Sequence, residues 1–140
     1  MIRELEVEST GYNFTCDLTD RIAELAQRAN RADGMLSVFA RGSTIGLTLM
    51  RYEPGAVQDL QRAMERIAPS DAHYVHGLTT SDPNGFSHVR SSIMGTSLSV
   101  PFIDGRLGIS DAHRIAFFDF DLKPATRKIH VGLPTLKEAL

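Results

Sequence analysis

Cysteine, tryptophan and long apolar segments are scarce in this sequence. It contains one cysteine, Cys16, and no tryptophan among 140 residues. A single cysteine excludes an internal disulfide and makes a reducing compartment the simple expectation. No apolar run approaches the roughly 20 residues of a membrane-spanning helix, and the first segment, MIRELEVEST, is charged and unlike a signal peptide. We therefore expect a cytoplasmic protein without a membrane partner.

An excess of charge of one sign is also missing. The 15 Lys and Arg residues nearly balance the 17 Asp and Glu residues, for a formal net charge of -2, so nothing favours a nucleic acid partner. The sequence has no Gly-rich phosphate loop, no Cys-x-x-Cys and no Gly-x-Ser-x-Gly. It thus lacks the motifs of nucleotide-binding P-loops, dithiol redox proteins and hydrolases with a nucleophile elbow. Cys16 lies in a predicted strand and is interpreted as a small buried residue.

The patterns that are present predict a single α+β domain over residues 1–140. Hydrophobic residues make up 42% of the chain and charged residues 23%, which is ordinary for a globular domain with a real core. Alternation and apolar runs predict strands at 2–9, 14–18, 35–40, 46–50, 114–122 and 126–131. Two main helices are predicted, one with Thr19 as its N-cap and one with Pro54 in its first turn. This order favours a mixed or mostly antiparallel, sandwich-like sheet.

Residues 88–110, HVRSSIMGTSLSVPFIDGRLGIS, organise the rest of the prediction. Leu98, Val100 and Phe102 alternate with serines as in a half-buried strand, and Asp104-Gly105 predicts a tight turn. Before them, a short helix is predicted with Asn84 as its cap. Three and four residues make one turn, so two faces are expected: an apolar one with Phe86, Val89 and Ile93, and a polar one with His88, Ser91 and Ser92.

Four pieces of the sequence resemble a known family. They are His88-Val89-Arg90, Gly95-Thr96-Ser97-Leu98, Pro101 and Asp104-Gly105-Arg106-Leu107, and they resemble the YjbQ-like family, whose members are labelled secondary thiamine-phosphate synthases. The resemblance extends over about residues 18–132. It implies a YjbQ-like fold, a homotrimer, and a reaction that joins a pyrimidine diphosphate to a thiazole phosphate.

The resemblance singles out two of the five histidines. His76 matches a histidine in the loop before a Gly/Asn-rich segment, and His88 matches the histidine of an Ala-His motif. Related proteins cluster a third histidine, from a His-Thr-Thr motif, with these two. Gly42 stands at that place here, followed by Ser43 and Thr44. His88 is the predicted catalytic residue, as an acid–base group.

A replacement for the missing histidine is offered by His113. The family segment Gly-Thr-Trp-Gln corresponds to 110–113, so that Ala112 replaces Trp and His113 replaces Gln. One hypothesis is a rebuilt triad of His76, His88 and His113, oriented by Asp111, that holds a divalent metal such as Zn. The alternative is drift at a site that is no longer used.

A site for a phosphate or carboxylate is the second predicted feature. Hydroxyl groups and guanidinium forks match such anions, and Ser43, Thr44, Arg51 and Arg90 provide both. Arg51 stands where the family has an acidic residue, which reverses the charge there. For either arginine alone, a solvated or salt-bridged side chain is the simpler interpretation.

Three functions follow from these patterns. The first is thiamine-phosphate-synthase-type transfer at a histidine-containing anion pocket. The second is a catalytically silent protein that binds a small anionic metabolite or serves as an interaction subunit, and the third is metal-dependent hydrolysis at the rebuilt histidine site. The expected homotrimer has mild support from Phe39, Phe117 and Phe118, which exceed what one small core is expected to hide.

Overall fold

The structure, a computed structural model, describes residues 1–29 and 32–135. The strands in these ranges are β1 (Ile2–Ser9), β2 (Thr15–Asp17), β3 (Gly34–Arg41), β4 (Ile45–Met50), β5 (Ser97–Ile103), β6 (Arg106–Leu107), β7 (Arg114–Asp119) and β8 (Ala125–Gly132). The helices are α1 (Thr19–Ala29), α2 (Pro54–Ile67), α3 (His76–Thr79) and α4 (Gly85–Met94). A helix end predicted at 30–34 and a tail predicted at 133–140 fall partly outside the described residues.

The strands form two sheets. Five strands follow the order β1-β8-β3-β5-β6 and three follow β2-β7-β4, and every pairing among the described residues is antiparallel. Val38 of β3 pairs with Val131 of β8 and Leu98 of β5. These side chains pack in one core with Leu47 and Phe117 of the smaller sheet. The predicted α+β, sandwich-like class is confirmed.

Strand β7 has buried residues on both faces, and helix α2 packs on one of them. Its residues Ile115 and Phe117 face the core between the sheets, whereas Ala116 and Phe118 face Met64 of α2 on the opposite side. Successive side chains of a strand point to opposite faces, so a strand buried on both faces reads as a continuous apolar run. The smaller sheet therefore carries the core on one face and helix α2 on the other.

The helix starts follow the predicted positions with one change of cap. Pro54 occupies the first turn of α2, as predicted, and Glu53 accepts from the Gly55 and Ala56 N–H groups. Helix α1 begins at Thr19, but Thr19 Oγ1 accepts the Ile115 N–H at 2.7 Å. Asp17 Oδ1 accepts the Thr19 N–H at 2.9 Å instead. The cap prediction for Thr19 was wrong because its hydroxyl ties α1 to β7.

The predicted turn at Asp104-Gly105 is confirmed. Asp104 has a φ of 51° and Gly105 a φ of 77°, the left-handed values that a two-residue hairpin turn requires. The turn joins β5 to β6, with Phe102 paired to Leu107. Val100 and Phe102 are buried as the alternation predicts.

Two exposure predictions change. Phe117 and Phe118 are buried in the two cores, whereas Phe39 is 45% exposed, so only one of the three phenylalanines lies on the surface. Cys16 lies half-buried in β2, and burial raises the pKa of its thiol to about 11. A thiol protonated at neutral pH is a poor nucleophile. None of the helices in the described ranges has the length and apolar character needed to cross a membrane.

Candidate functional site

Helix α4 is held against the ends of two strands by its serines. Ser91 Oγ donates to the Ile45 carbonyl of β4 at 2.6 Å, and Ser87 Oγ donates to the Phe120 carbonyl after β7. Both hydroxyls are buried, so these bonds fix the rotation of the helix about its axis. The rotation places His88 over the loop between β3 and β4.

His88 is oriented by that loop. Its Nδ1 lies 3.0 Å from the Ser43 carbonyl oxygen. A carbonyl only accepts, so Nδ1 carries a hydrogen and, in the neutral ring, Nε2 carries the lone pair. A side chain oriented in this way presents Nε2 as its free acid–base nitrogen.

His76 lies next to His88. The two ring centroids are 4.7 Å apart and the rings are inclined at 70°. His76 Nε2 lies 3.1 Å from Asn84 Oδ1 and 3.3 Å from Thr80 Oγ1. Two histidines 12 positions apart in the chain are thus brought into edge-to-face contact, because α3 folds back on the start of α4.

A partly buried polar network lies behind this pair and contacts it through Asn84. Asn84 Nδ2 lies 3.4 Å from Asp121 Oδ1, and Arg127 reaches Asp121 Oδ2 at 3.4 Å. Arg127 also donates through Nε to Asp119 Oδ2 at 3.0 Å. Burial acts to raise the pKa of Asp121, but hydrogen bonds from the Leu122 N–H and from the Asn84, Thr44 and Arg127 side chains together hold it below its ordinary value. Asp121 is therefore a carboxylate at neutral pH.

A cavity of about 330 Å³ opens beside His88. It is bounded by one loop, one face of α4 and the start of β5: Gly42, Ser43, His88, Ser91, Ser92, Gly95 and Thr96. Ser92 Oγ donates to the His88 carbonyl at 2.9 Å, so the oxygens of Ser91 and Ser92 remain as acceptors. Among the described residues, no arginine or lysine belongs to this lining, and its polar side chains are hydroxyls and one imidazole.

The structure does not place Arg90 in this cavity. Arg90 follows His88 by two residues, so it points about 200° away around the helix. Its side chain is 1% exposed and pairs with Glu65. Its Nε donates to the Ala68 carbonyl at 3.0 Å, and its guanidinium carbon lies 4.9 Å from the Phe86 ring centroid. Arg90 is a buried, paired cation, and the structure does not bring it to the cavity at His88 where an anion ligand was predicted.

Arg51 is also separated from Ser43 and Thr44. It follows the far end of β4 (Ile45–Met50), which places it about 23 Å from Thr44 at roughly 3.3 Å per residue. Thr44 is buried, and its side chain bonds to Asp121. Of the four predicted anion ligands, only Ser43 lines the cavity at His88.

His113 lies at the opposite end of β7 from the pair. The strand runs from Arg114, beside Met50, to Asp119, beside Ile45, a length of about 17 Å. His113 is exposed and borders another cavity, with Ser110 and Asp111. Within 1–29 and 32–135, no group of three or more His, Cys, Asp or Glu side chains is arranged to hold a metal ion. The predicted triad with His76 and His88 is thus not formed within one chain.

Two predictions for α4 also need correction. Val89 is 38% exposed and Ile93 50% exposed, so of the predicted apolar face only Phe86 is buried. The buried face of the helix also contains Ser87, Arg90 and Ser91. Asn84 makes no cap hydrogen bond with its side chain. It contacts His76 and Asp121 instead.

The sequence-based site missed Asn84, Asp121 and Arg127. The only signal for them was a pair of acidic residues, Asp119 and Asp121, at the end of a strongly apolar strand. Charged residues in such a position are rarely buried unless they are paired, which makes a polar network the expected explanation.

The comparisons with known proteins agree with this fold. A family described as UPF0047 protein YjbQ-like matches residues 3–135. A UPF0047 protein of Methanothermobacter thermautotrophicus is 30% identical over 131 residues, covering 94% of this chain and 90% of that protein. A UPF0047 protein of Archaeoglobus fulgidus is 30% identical over 82% of this chain and 86% of its own length.

Solved structures show the same architecture. A YbjQ-like protein of unknown function from Sulfolobus solfataricus superimposes with a TM-score of 0.87 at 19% identity, over 94% of both chains. A YjbQ/UPF0047 family protein from Clostridium acetobutylicum superimposes with a TM-score of 0.84 at 24% identity, over 94% of this chain and 99% of that one. The chain therefore belongs to the UPF0047 (YjbQ-like) family.

Proposed function

We propose that this chain binds a small phosphorylated molecule in the cavity at His88 and that His88 transfers a proton there. The contact between the His76 and His88 rings supports the proposal. Imidazole is the side chain that changes charge near neutral pH, and His88 Nε2 has no partner among the described residues. A protonated His88 would supply an acidic hydrogen and a positive charge that no other described residue of the lining carries.

The family resemblance suggests the reaction. In a transfer of the thiamine-phosphate-synthase type, the bond between the pyrimidine methylene carbon and the diphosphate oxygen breaks. A bond forms between that carbon and the thiazole nitrogen, and the diphosphate leaves. His88 would donate a proton to the leaving diphosphate, while the Ser43 and Thr96 hydroxyls would bond to phosphate oxygens.

A turnover assay with a matched histidine control tests this reaction. Wild-type protein, His88→Ala and His113→Ala are incubated with the pyrimidine diphosphate and the thiazole phosphate. We expect the rate of His88→Ala to be about 10²–10⁴-fold lower than that of the wild-type protein, which is the usual contribution of acid–base catalysis. His113→Ala should keep the full rate, because His113 lies outside the cavity. Equal background from wild-type protein and His88→Ala would remove the proposal.

The lining of the cavity favours a second candidate function. Gly42 stands where the resemblance expects a third histidine, and neither Arg51 nor Arg90 reaches the lining. A cavity that is retained although these expected side chains are missing from it suits a protein that binds a small anion without turnover. Pyrophosphate binding that depends on His88, together with no thiamine phosphate formed, would favour this second candidate. The described residues do not fit a three-ligand metal site, so a metal-dependent hydrolase is not proposed.

We also propose that the chain forms the homotrimer that the resemblance implies. The outer face of the five-stranded sheet supports this, since Met35 and Phe39 of β3 and Ile103 of β5 are 56%, 45% and 51% exposed. Phe39 stacks on His130 with ring centroids 6.5 Å apart. An exposed group of apolar side chains on one sheet face suits a contact with a further copy of the chain.

A further inference from the structure

Asn84 occupies an unusual position for a residue at a helix start. Asparagine there normally caps the helix through its side chain, but this side chain makes no cap bond. It is 4% exposed and reaches between two other groups, the carboxylate of Asp121 and the ring of His76. The buried amide of Asn84 therefore bonds to Asp121 and His76 and not to the backbone of the helix.

Asp121 decides which way the Asn84 amide faces. A carboxylate accepts hydrogen bonds and donates none, and Asp121 is ionised at neutral pH because its pKa lies below the ordinary value. The NH₂ group of Asn84 must therefore face Asp121, and its Oδ1 must face His76. Arg127 holds Asp121 in place from the other side.

The amide orientation then decides the tautomer of His76. Asn84 Oδ1 can only accept, so His76 Nε2 must carry the hydrogen. The contacts of Thr80 indicate the same tautomer of His76. Its hydroxyl donates to the His76 carbonyl oxygen at 3.0 Å, which leaves Thr80 Oγ1 to accept from Nε2 at 3.3 Å. In the neutral ring, His76 Nδ1 then holds the lone pair.

The two rings of the pair are thus held in opposite tautomers. His88 carries its hydrogen on Nδ1, because the Ser43 carbonyl accepts it, and His76 carries its hydrogen on Nε2. We infer that Asn84 is a positioning residue, which holds His76 as the Nε2–H tautomer through its contact with Asp121 so that His76 Nδ1 remains an acceptor. The use of this acceptor beside His88 rests on the proposed function, but the tautomer itself does not.

Nitrogen NMR of the histidine rings tests the inference without any substrate. In wild-type protein labelled with ¹⁵N-histidine, at a pH where the rings are neutral, two-bond correlations should report Nε2–H for His76 and Nδ1–H for His88. The exposed His73 provides an internal reference for a ring without a fixed partner. A wild-type His76 that shows Nδ1–H, or the same tautomer mixture as His73, overturns the inference whatever the variants do.

Three variants separate positioning from a general structural role. Thr80→Val should leave His76 as Nε2–H, because Asn84 Oδ1 still accepts from Nε2. In this Thr80→Val background, Asn84→Ala also removes the second acceptor at Nε2 and should move His76 toward the tautomer mixture of His73. Asp121→Asn in the same background should do the same with the Asn84 side chain in place, because the amide is then free to rotate. An unchanged His76 spectrum in folded Thr80→Val/Asp121→Asn would contradict the argument, and this variant provides the result if the variant with Asn84→Ala fails to fold.

Turnover then separates this inference from the proposed function. If the Thr80→Val protein turns over, adding Asn84→Ala should lower kcat more than it changes KM, because the substitution leaves the lining of the cavity intact. If no variant turns over, the proposed reaction fails, while the NMR result for His76 still stands or falls by itself.

Discussion

Replacement of Arg90 by methionine tests whether its cation serves the fold or the ligand. Arg90 is 1% exposed, and its Nε donates to the carbonyl oxygen of Ala68, a residue that is 2% exposed. Removal of the donor leaves this buried acceptor unsatisfied, at a cost of about 1–3 kcal/mol. Loss of the contacts with the Phe86 and Tyr12 rings, at 4.9 and 5.6 Å from the guanidinium carbon, adds about 1 kcal/mol.

The ion pair with Glu65 adds little to this sum. Glu65 is 44% exposed, so its carboxylate can be hydrated when Arg90 is gone, and exposed pairs contribute about 0–1 kcal/mol. Methionine fills much of the same volume, which limits the cavity term. We therefore expect Arg90→Met to lower the free energy of unfolding by about 2–4 kcal/mol.

Urea denaturation gives the measurement, with Arg66→Met as the matched control. Arg66 is exposed in the last turn of α2, so its substitution should change stability by no more than about 0.5 kcal/mol. Arg90→Lys should lie between the two, because a point charge cannot reproduce the fork. A stable Arg90→Met that no longer binds pyrophosphate would refute the reasoning and restore the sequence-based role of Arg90.

Three further predictions follow from the same contacts. Asp119→Asn should lower stability by about 1–3 kcal/mol in thermal or urea unfolding, because it weakens the buried bonds to Arg127 while Arg127 keeps Asp121 as its second carboxylate; Asp59→Asn, on an exposed site, should change it little. Phe39→Asp should convert the proposed trimer to a monomer in light scattering after size exclusion, and a trimer that survives would place the interface elsewhere. The pKa of Glu65 lies below its ordinary value of 4.5, although burial acts to raise it. The pKa is lowered by hydrogen bonds, first from the Ser70 N–H and then from the Arg90 guanidinium and the Ser70 hydroxyl. The unfolded chain therefore binds the proton first, stability falls as the pH drops below about 4.5, and this fall should be smaller in Glu65→Gln.

The fold was largely predictable for strands that bury one face in the core and expose the other to solvent. Strand β1 alternates because Val7 packs inward while Glu4 and Glu6 meet solvent, and β5 repeats the pattern with Val100 and Phe102. Period-two patterns carry this information directly. The arrangement of the strands into two sheets was not encoded in any such pattern, since it depends on pairings between segments as far apart as β1 and β8.

Helix α4 shows why pattern alone misassigned a face. Apolar Val89 and Ile93 lie on the surface, while charged Arg90 is buried. Hydrophobicity scales count Arg90 as polar, but its guanidinium lies among aromatic rings and has a partner for each nitrogen. Buried charges are acceptable when they are paired in this way, and the pairing partners come from other segments.

The candidate site shows the same limit. The resemblance pointed to His76 and His88, which the structure brings together, but no spacing rule predicted their contact. It also suggested His113, which a strand length of about 17 Å separates from the pair. Asn84 was interpreted as a cap because that is the usual use of asparagine at a helix start, but its side chain contacts Asp121, which comes from a distant segment of the chain.

Chemical-shift mapping with inorganic pyrophosphate tests the central claim most directly. If the cavity at His88 is the ligand site, titration should shift the signals of Ser43, His88 and Thr96 in a saturable manner. His88→Ala should weaken the binding, and His113→Ala should leave it unchanged. Shifts confined to the surface around His113, or identical affinity in wild-type protein and His88→Ala, would contradict the claim.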